Sequence, residues 1–173
     1  MKKMFLTMTL VIAMLVPALG FTADRDLYIG ASYGLVWGDN IKWHGTDPQE
    51  RSVFGAVAGA EITPWLDGEI SVEKFHEIQM SKTNAEVGGA FASLKIHIPK
   101  GSIQPYLLGA IGRIETSGDI TGASEAWRSG AGVDILLGQR LSMSLGCNYT
   151  EGFSDKFNDI QYISAISNLK IHF

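Results

Sequence analysis

Only one cysteine, Cys147, occurs among the 173 residues. An intramolecular disulfide is therefore excluded, and so is any metal site built on paired thiols. Cys147 lies far from the amino-terminal leader, which excludes a lipid-modified N-terminal cysteine. There is no basic tract either. Fourteen Lys and Arg stand against 18 Asp and Glu, a balance that argues against nucleic acid as a partner. Beyond residue 20 no apolar run approaches the ~20 residues that a transmembrane helix needs.

The opening stretch, "MKKMFLTMTLVIAMLVPALG", has two lysines, an apolar run from Met4 to Val16 and a small-residue end. That is the layout of a secretory signal peptide. Residues 1–20 are read as this leader, with cleavage expected after Gly20 and Ala23 as the later alternative. Removing Lys2 and Lys3 leaves 12 basic against 18 acidic residues, a charge of −6 with histidines neutral. Residues 21–173 are long enough for one exported domain.

Past the leader the chain is a series of short alternating segments. In "DLYIGASYGLVW" Leu27, Ile29, Tyr33, Leu35 and Trp37 share one face, while Gly30, Ser32 and Gly34 share the other. The same period of two runs through "SVFGAVAGAEIT", "LDGEISVEKF", "FASLKIHI", "QPYLLGAIGRIE", "AWRSGAGVDILL" and "LSMSLGCNYT". The last segment, "QYISAISNLKIHF", also fits a helical stripe, and its seven neighbours decide for a strand. Tight connections ("TPW", "PKGSI", "GQR") alternate with long polar ones such as "GDNIKWHGTDPQER". Short turns at one end and long loops at the other are the pattern of outer-membrane barrels. The expected fold is all-β, an eight-stranded antiparallel up-and-down transmembrane β-barrel.

Alternation alone leaves two opposite objects: a membrane barrel with its apolar face outward, or a soluble periplasmic ligand-binding barrel with that face inward. Three features favour the membrane. The polar face is mostly Gly and Ser, a bare surface for a soluble protein. Aromatics sit near strand ends, Trp37, Trp127 and Tyr149 toward the long loops and Trp65 and Tyr106 toward the short turns, and are read as two interfacial belts. Phe173 ends an apolar-alternate strand.

With "LYIGASYGLVWGD", "ITPWLDGEISVE", "SLKIHIP…IQPYLLGAIGRIE", "GAGVDILL" and the terminal aromatic together, the chain resembles the small outer-membrane β-barrels of the OmpA transmembrane-domain, OmpX and opacity-protein type over residues 26–173. The resemblance implies location in the outer membrane among lipid and lipopolysaccharide, a monomer, and passage by periplasmic chaperones and the barrel-assembly machinery. It also implies that Phe173, with Ile171 and Leu169, forms the assembly signal. A peptidoglycan-binding domain of the kind OmpA carries is not expected.

An eight-stranded barrel has an interior that side chains fill. The charges assigned inward are Glu61, Glu69, Glu73, Glu115 and Asp134 against Lys95, Arg113, Arg128 and Lys170, with His97 and His172 beside them. This near balance points to a salt-bridged plug rather than an ion path. The carboxylates are read as structural partners, and two histidines without a third ligand give no metal site. Lipid A deacylase barrels place a His-x-Ser pair on strand seven; here Asn148 and Thr150 stand in "CNYTEG". No other histidine is expected beside a serine nucleophile, so no catalysis and no cofactor are expected. A lipid A-modifying enzyme stays as a lesser alternative. Specific binding is left to the long loops, where Trp43 and His44 are the candidates for an extracellular ligand.

Overall fold

The computed structural model describes residues 27–37, 51–75, 78–80, 83–98, 101–118, 122–153 and 161–173, with the side chains of 76–86 outside that description. The long connection carrying Trp43 and His44, and also His76, lies outside the described residues. Among the described residues no helix is long and apolar enough to cross a membrane. Eight principal strands cross instead: β1 Leu27–Trp37, β2 Arg51–Thr63, β3 Leu66–Phe75, β4 Thr83–His97, β5 Ile103–Gly118, β6 Gly122–Leu136, β7 Leu141–Gly152 and β8 Gln161–His172. A three-residue strand, Ile78–Met80, pairs with the start of β4. β4 therefore begins well before the expected Phe91.

Each strand pairs antiparallel with its chain neighbours, and β1 pairs with β8, so the sheet closes on itself. Closure leaves no edge, which is the condition for placing a sheet in hydrocarbon. The pairing is staggered. Following partners from Leu27 to Ala60, Gly68, Leu94, Gly109, Ser129, Tyr149 and Ile163 returns to β1 at Trp37, ten residues above the start. Such a stagger obliges the strands to tilt. Eleven tilted residues then rise about 28 Å, close to the hydrocarbon thickness.

The apolar alternates face out. Ile29, Phe54, Leu94, Leu107, Ile111, Leu145, Ile163 and Leu169 are all exposed, Ile111 at 70%. This excludes the soluble arrangement, in which these side chains would surround a ligand. Trp37, Trp127 and Tyr149 lie on the outer face toward the long-loop end, with the Trp127 and Tyr149 rings 5.5 Å apart. Trp65 and Phe173 are exposed at the short-turn end. The terminal strand is knit in on both sides: His172 N donates to Arg140 O and Phe173 N to Leu27 O, each at 2.9 Å.

Strand β5 departs from expectation. Its Tyr106, Leu108, Ala110 and Ile114 point inward, while Ile103, Leu107 and Ile111 face out. Tyr106 is therefore no belt residue; it is 6% exposed and inside the barrel. Both faces of this segment are apolar, so alternation could not choose between them. Packing does. Tyr106 lies in register with Gly132 and Gly146 on the next two strands, and a Cβ at either position would collide with its hydroxyl. Tyr28 over Gly59 and Phe91 over Gly112 repeat the arrangement. The inward glycines make room for aromatic rings.

Two substitutions test this packing by urea unfolding of the refolded barrel in lipid vesicles. Leu107→Arg should cost up to ~2–4 kcal/mol, the penalty for a lipid-facing cation near the midplane. Gly146→Val should cost about 1–3 kcal/mol by overpacking against Tyr106.

Candidate functional site in the barrel interior

Parity carries polar side chains from every strand into the lumen, and they sort into layers. Nearest the long loops is an apolar plug of Val36, Val53, Phe75, Phe91, Ile114 and Tyr162. Beneath it Arg128 forms a two-armed pair with Glu73, with Nη2 to Oε2 at 3.0 Å and Nη1 bonded to Oε1. Arg128 Nε also donates to Thr150 Oγ1 at 2.9 Å and Nη2 to the Tyr162 hydroxyl at 3.2 Å. The guanidinium stacks 3.8 Å from the centre of the Phe91 ring. Every face of this buried cation is thus occupied, the condition under which such a charge persists.

A second layer is a square of four charges from β3, β4, β6 and β8. Lys95 Nζ lies 3.2 Å from Glu69 Oε1 and 3.0 Å from Asp134 Oδ2. Lys170 Nζ reaches the same two oxygens at 2.9 and 3.5 Å. Each charge therefore has two opposite neighbours, and both lysines are only 1% exposed. The Tyr106 ring lies 3.9 Å beneath Lys95 and the Tyr28 ring 4.7 Å from Lys170. Tyr28 in turn donates to Glu69 Oε1 at 2.8 Å. Between the two layers is a cavity of about 40 Å³ touched by Ser93, Asn148 and Asn168, with room for a few water molecules.

Toward the short turns, His97 Nε2 meets Asp67 Oδ2 at 3.0 Å, and the Tyr28 hydroxyl, whose one proton is shared with the shorter contact to Glu69, lies 3.2 Å from the same oxygen. His172 Nε2 lies 2.7 Å from Ser142 Oγ. That pair bears on the expectation that no other histidine stands beside a plausible serine nucleophile. Ser142 is only 2% exposed. Asn148 and Thr150 also face the interior.

The structure brings Glu69, Glu73, Lys95, Arg128, Asp134 and Lys170 together, and places Glu61 on the inward face opposite Asp67. It does not bring in Arg113 and Glu115. These pair with each other at 3.0 Å on the outer surface, their side chains 58% and 34% exposed. Their position is a consequence of the inverted face of β5, and they sit near the long-loop end, where the strand leaves the apolar band. Asp67, Tyr28 and Ser142 are the partners that sequence reasoning missed. Asp67 shares the parity of Glu69 two residues on, a signal available in "LDGEISVEKF".

The family described as "Outer membrane protein beta-barrel domain" matches residues 6–173. The chain belongs to this family. Family membership places it in the outer membrane as a β-barrel. Solved structures similar to it include Neisserial surface protein A, 13% identical with a TM-score of 0.69 over 86% of this chain and 97% of that one. The attachment invasion locus protein Ail of Yersinia pestis is 14% identical, with a TM-score of 0.55 and the same coverages of 86% and 97%. The outer membrane enzyme PagL is 16% identical, with a TM-score of 0.52 over 83% of this chain and 98% of that one. At these identities the likeness is one of fold. A search of curated proteins found none that matches.

Lys95→Met should destabilise the barrel by about 3–5 kcal/mol, because Glu69 and Asp134 each lose one of two buried partners. Arg113→Ala, on the outer surface, should cost no more than ~1 kcal/mol. Urea unfolding in vesicles measures both, and equal losses would contradict the assignment of faces.

Proposed function

We propose that this protein is a non-catalytic outer-membrane barrel that serves as a closed scaffold for its outer loops. The observation that carries the reading is the filled lumen. The square of Glu69, Lys95, Asp134 and Lys170 and the Arg128–Glu73 pair cross it at two levels beneath an apolar plug. Breaking such pairs is costly, so a steady open path is not available to ions. Surface interaction then falls to the long loops, with Trp43 and His44 in the first of them. Ail has been solved in complex with the heparin analogue sucrose octasulfate, and a ligand of the extracellular surface is the corresponding expectation for this chain. The protein acts as a monomer in contact with lipid and lipopolysaccharide.

Assembly depends on the terminal strand, in which Leu169, Ile171 and Phe173 all face outward and are exposed. The barrel-assembly machinery reads that edge before β8 closes on β1. A lipid A-modifying activity is the second reading, favoured by the fold shared with PagL. It is disfavoured by Thr150, which is 0% exposed and tied to Arg128.

Planar-bilayer recordings should show no steady steps of reproducible size, and such steps would overturn the plugged reading. Lipid A from overexpressing cells should be unaltered by mass spectrometry. Deleting Phe173 should lower the heat-modifiable form recovered in the outer membrane; unchanged recovery would remove the assembly role.

A further inference from the structure

Near the long loops the outer wall carries a carboxylate that an aromatic belt does not explain. Glu151 follows Tyr149 on the outward face of β7. It stands directly across the β6–β7 ladder from Trp127 and across the β7–β8 ladder from Gln161. The Tyr149 hydroxyl donates to Glu151 Oε2 at 3.1 Å, and Gln161 Nε2 donates to Oε1 at 3.3 Å. Both donors are neutral. A carboxylate has about four lone-pair sites, so each oxygen keeps one open. Among the described residues no Lys or Arg pairs with Glu151. Arg113, two strands away on β5, stands across from Glu125 and bonds Glu115.

Glu151 sits at the boundary of the hydrocarbon. Trp127 is in register with Ile111, and Tyr149 with Ile163, both of them lipid-facing. An uncompensated charge beside hydrocarbon is costly, yet two hydrogen bonds hold this one in place. The Trp127 and Tyr149 rings, 5.5 Å apart and inclined at 59°, lie beside it. Cross-strand neighbours have Cβ atoms about 4.5–5.5 Å apart, so a group resting against Trp127 can also reach the Glu151 carboxylate. Aromatic faces attract cations through the ring quadrupole. Two rings and a fixed carboxylate with open lone pairs are the parts of an ammonium site.

We propose that Trp127, Tyr149 and Glu151 bind the primary ammonium of a lipid headgroup in the outer leaflet, the nitrogen resting against the rings and donating to Glu151. A primary ammonium suits the site better than a quaternary one, because only the former has N–H groups to give a carboxylate. A membrane lipid suits it better than a dissolved amine, because the site opens sideways onto the bilayer at the level of the headgroups and not into the lumen. A lipid held there covers the β6–β7 wall just beneath the long loops. The inference rests on the outer-membrane location and not on the closed-scaffold reading.

The test uses the mature chain refolded into nanodiscs of phosphatidylglycerol, with phosphatidylethanolamine introduced at rising mole fraction. NMR follows the Trp127 indole N–H and the Tyr149 ring. Both signals should move saturably, while the indole of Trp65, exposed at the short-turn end, drifts only with bulk composition. Glu151→Gln should weaken the lipid about tenfold or more. Trp127→Leu, read at Tyr149, should weaken it roughly 2–30-fold. Heat-modifiability on gels establishes that each variant is folded. A Trp127 signal that drifts without saturation, as Trp65 does, would overturn the site, and so would full affinity in a folded Glu151→Gln barrel. Equal shifts from dissolved ethanolamine in a phosphatidylglycerol disc would give the site to a soluble amine and overturn the lipid occupant.

Discussion

A bilayer core offers no water to hydrogen-bond a bare peptide group, so a sheet within it must pair every strand on both sides. Here that demand is met by joining β1 to β8, and the remaining architecture is set by the join. Closing eight strands with a ten-residue stagger fixes tilt and diameter together. The diameter fixes the volume to be filled, and alternation sends half of each strand to fill it.

The filling has its own logic. Glycine on an inward position contributes nothing to packing by itself and weakens a strand. Opposite Tyr28, Phe91 and Tyr106 it is what lets a ring lie flat against the wall. Those rings then serve as platforms for cations, with Lys170 over Tyr28, Arg128 over Phe91 and Lys95 over Tyr106. Small residue, ring and charge form a repeated stack, and the carboxylates of Glu69, Glu73 and Asp134 complete it from other strands. The interior is thus specified by three residue types in contact rather than by charge pairing alone.

Much of this was legible in the sequence, and the exceptions have physical causes. Alternation located the strands and the lipid-facing side chains of β1, β2, β7 and β8, where one face is apolar and the other small or polar. It failed on β5, because "YLLGAI" is apolar at every position but one and carries no parity. That single inversion accounts for Tyr106, Arg113 and Glu115 together. The strand ends near the long loops were also underestimated, since β4 starts within a polar stretch that has no alternation to read. The contact of Ser142 with His172 spans adjacent strands diagonally, as Ser142 is in register with Lys170, and no one-dimensional pattern displays such a diagonal. Asp67 is different. Its parity is that of Glu69, and it is readable in "LDGEISVEKF".

The seam between β1 and β8 joins the earliest strand of the barrel to the latest, with Leu27 O accepting from Phe173 N. Without that seam each of the two strands would keep a row of unpaired peptide groups, which water can satisfy and hydrocarbon cannot. The two ends of the barrel therefore lie side by side at one mouth, and the last strand supplies the partner that the first one lacks.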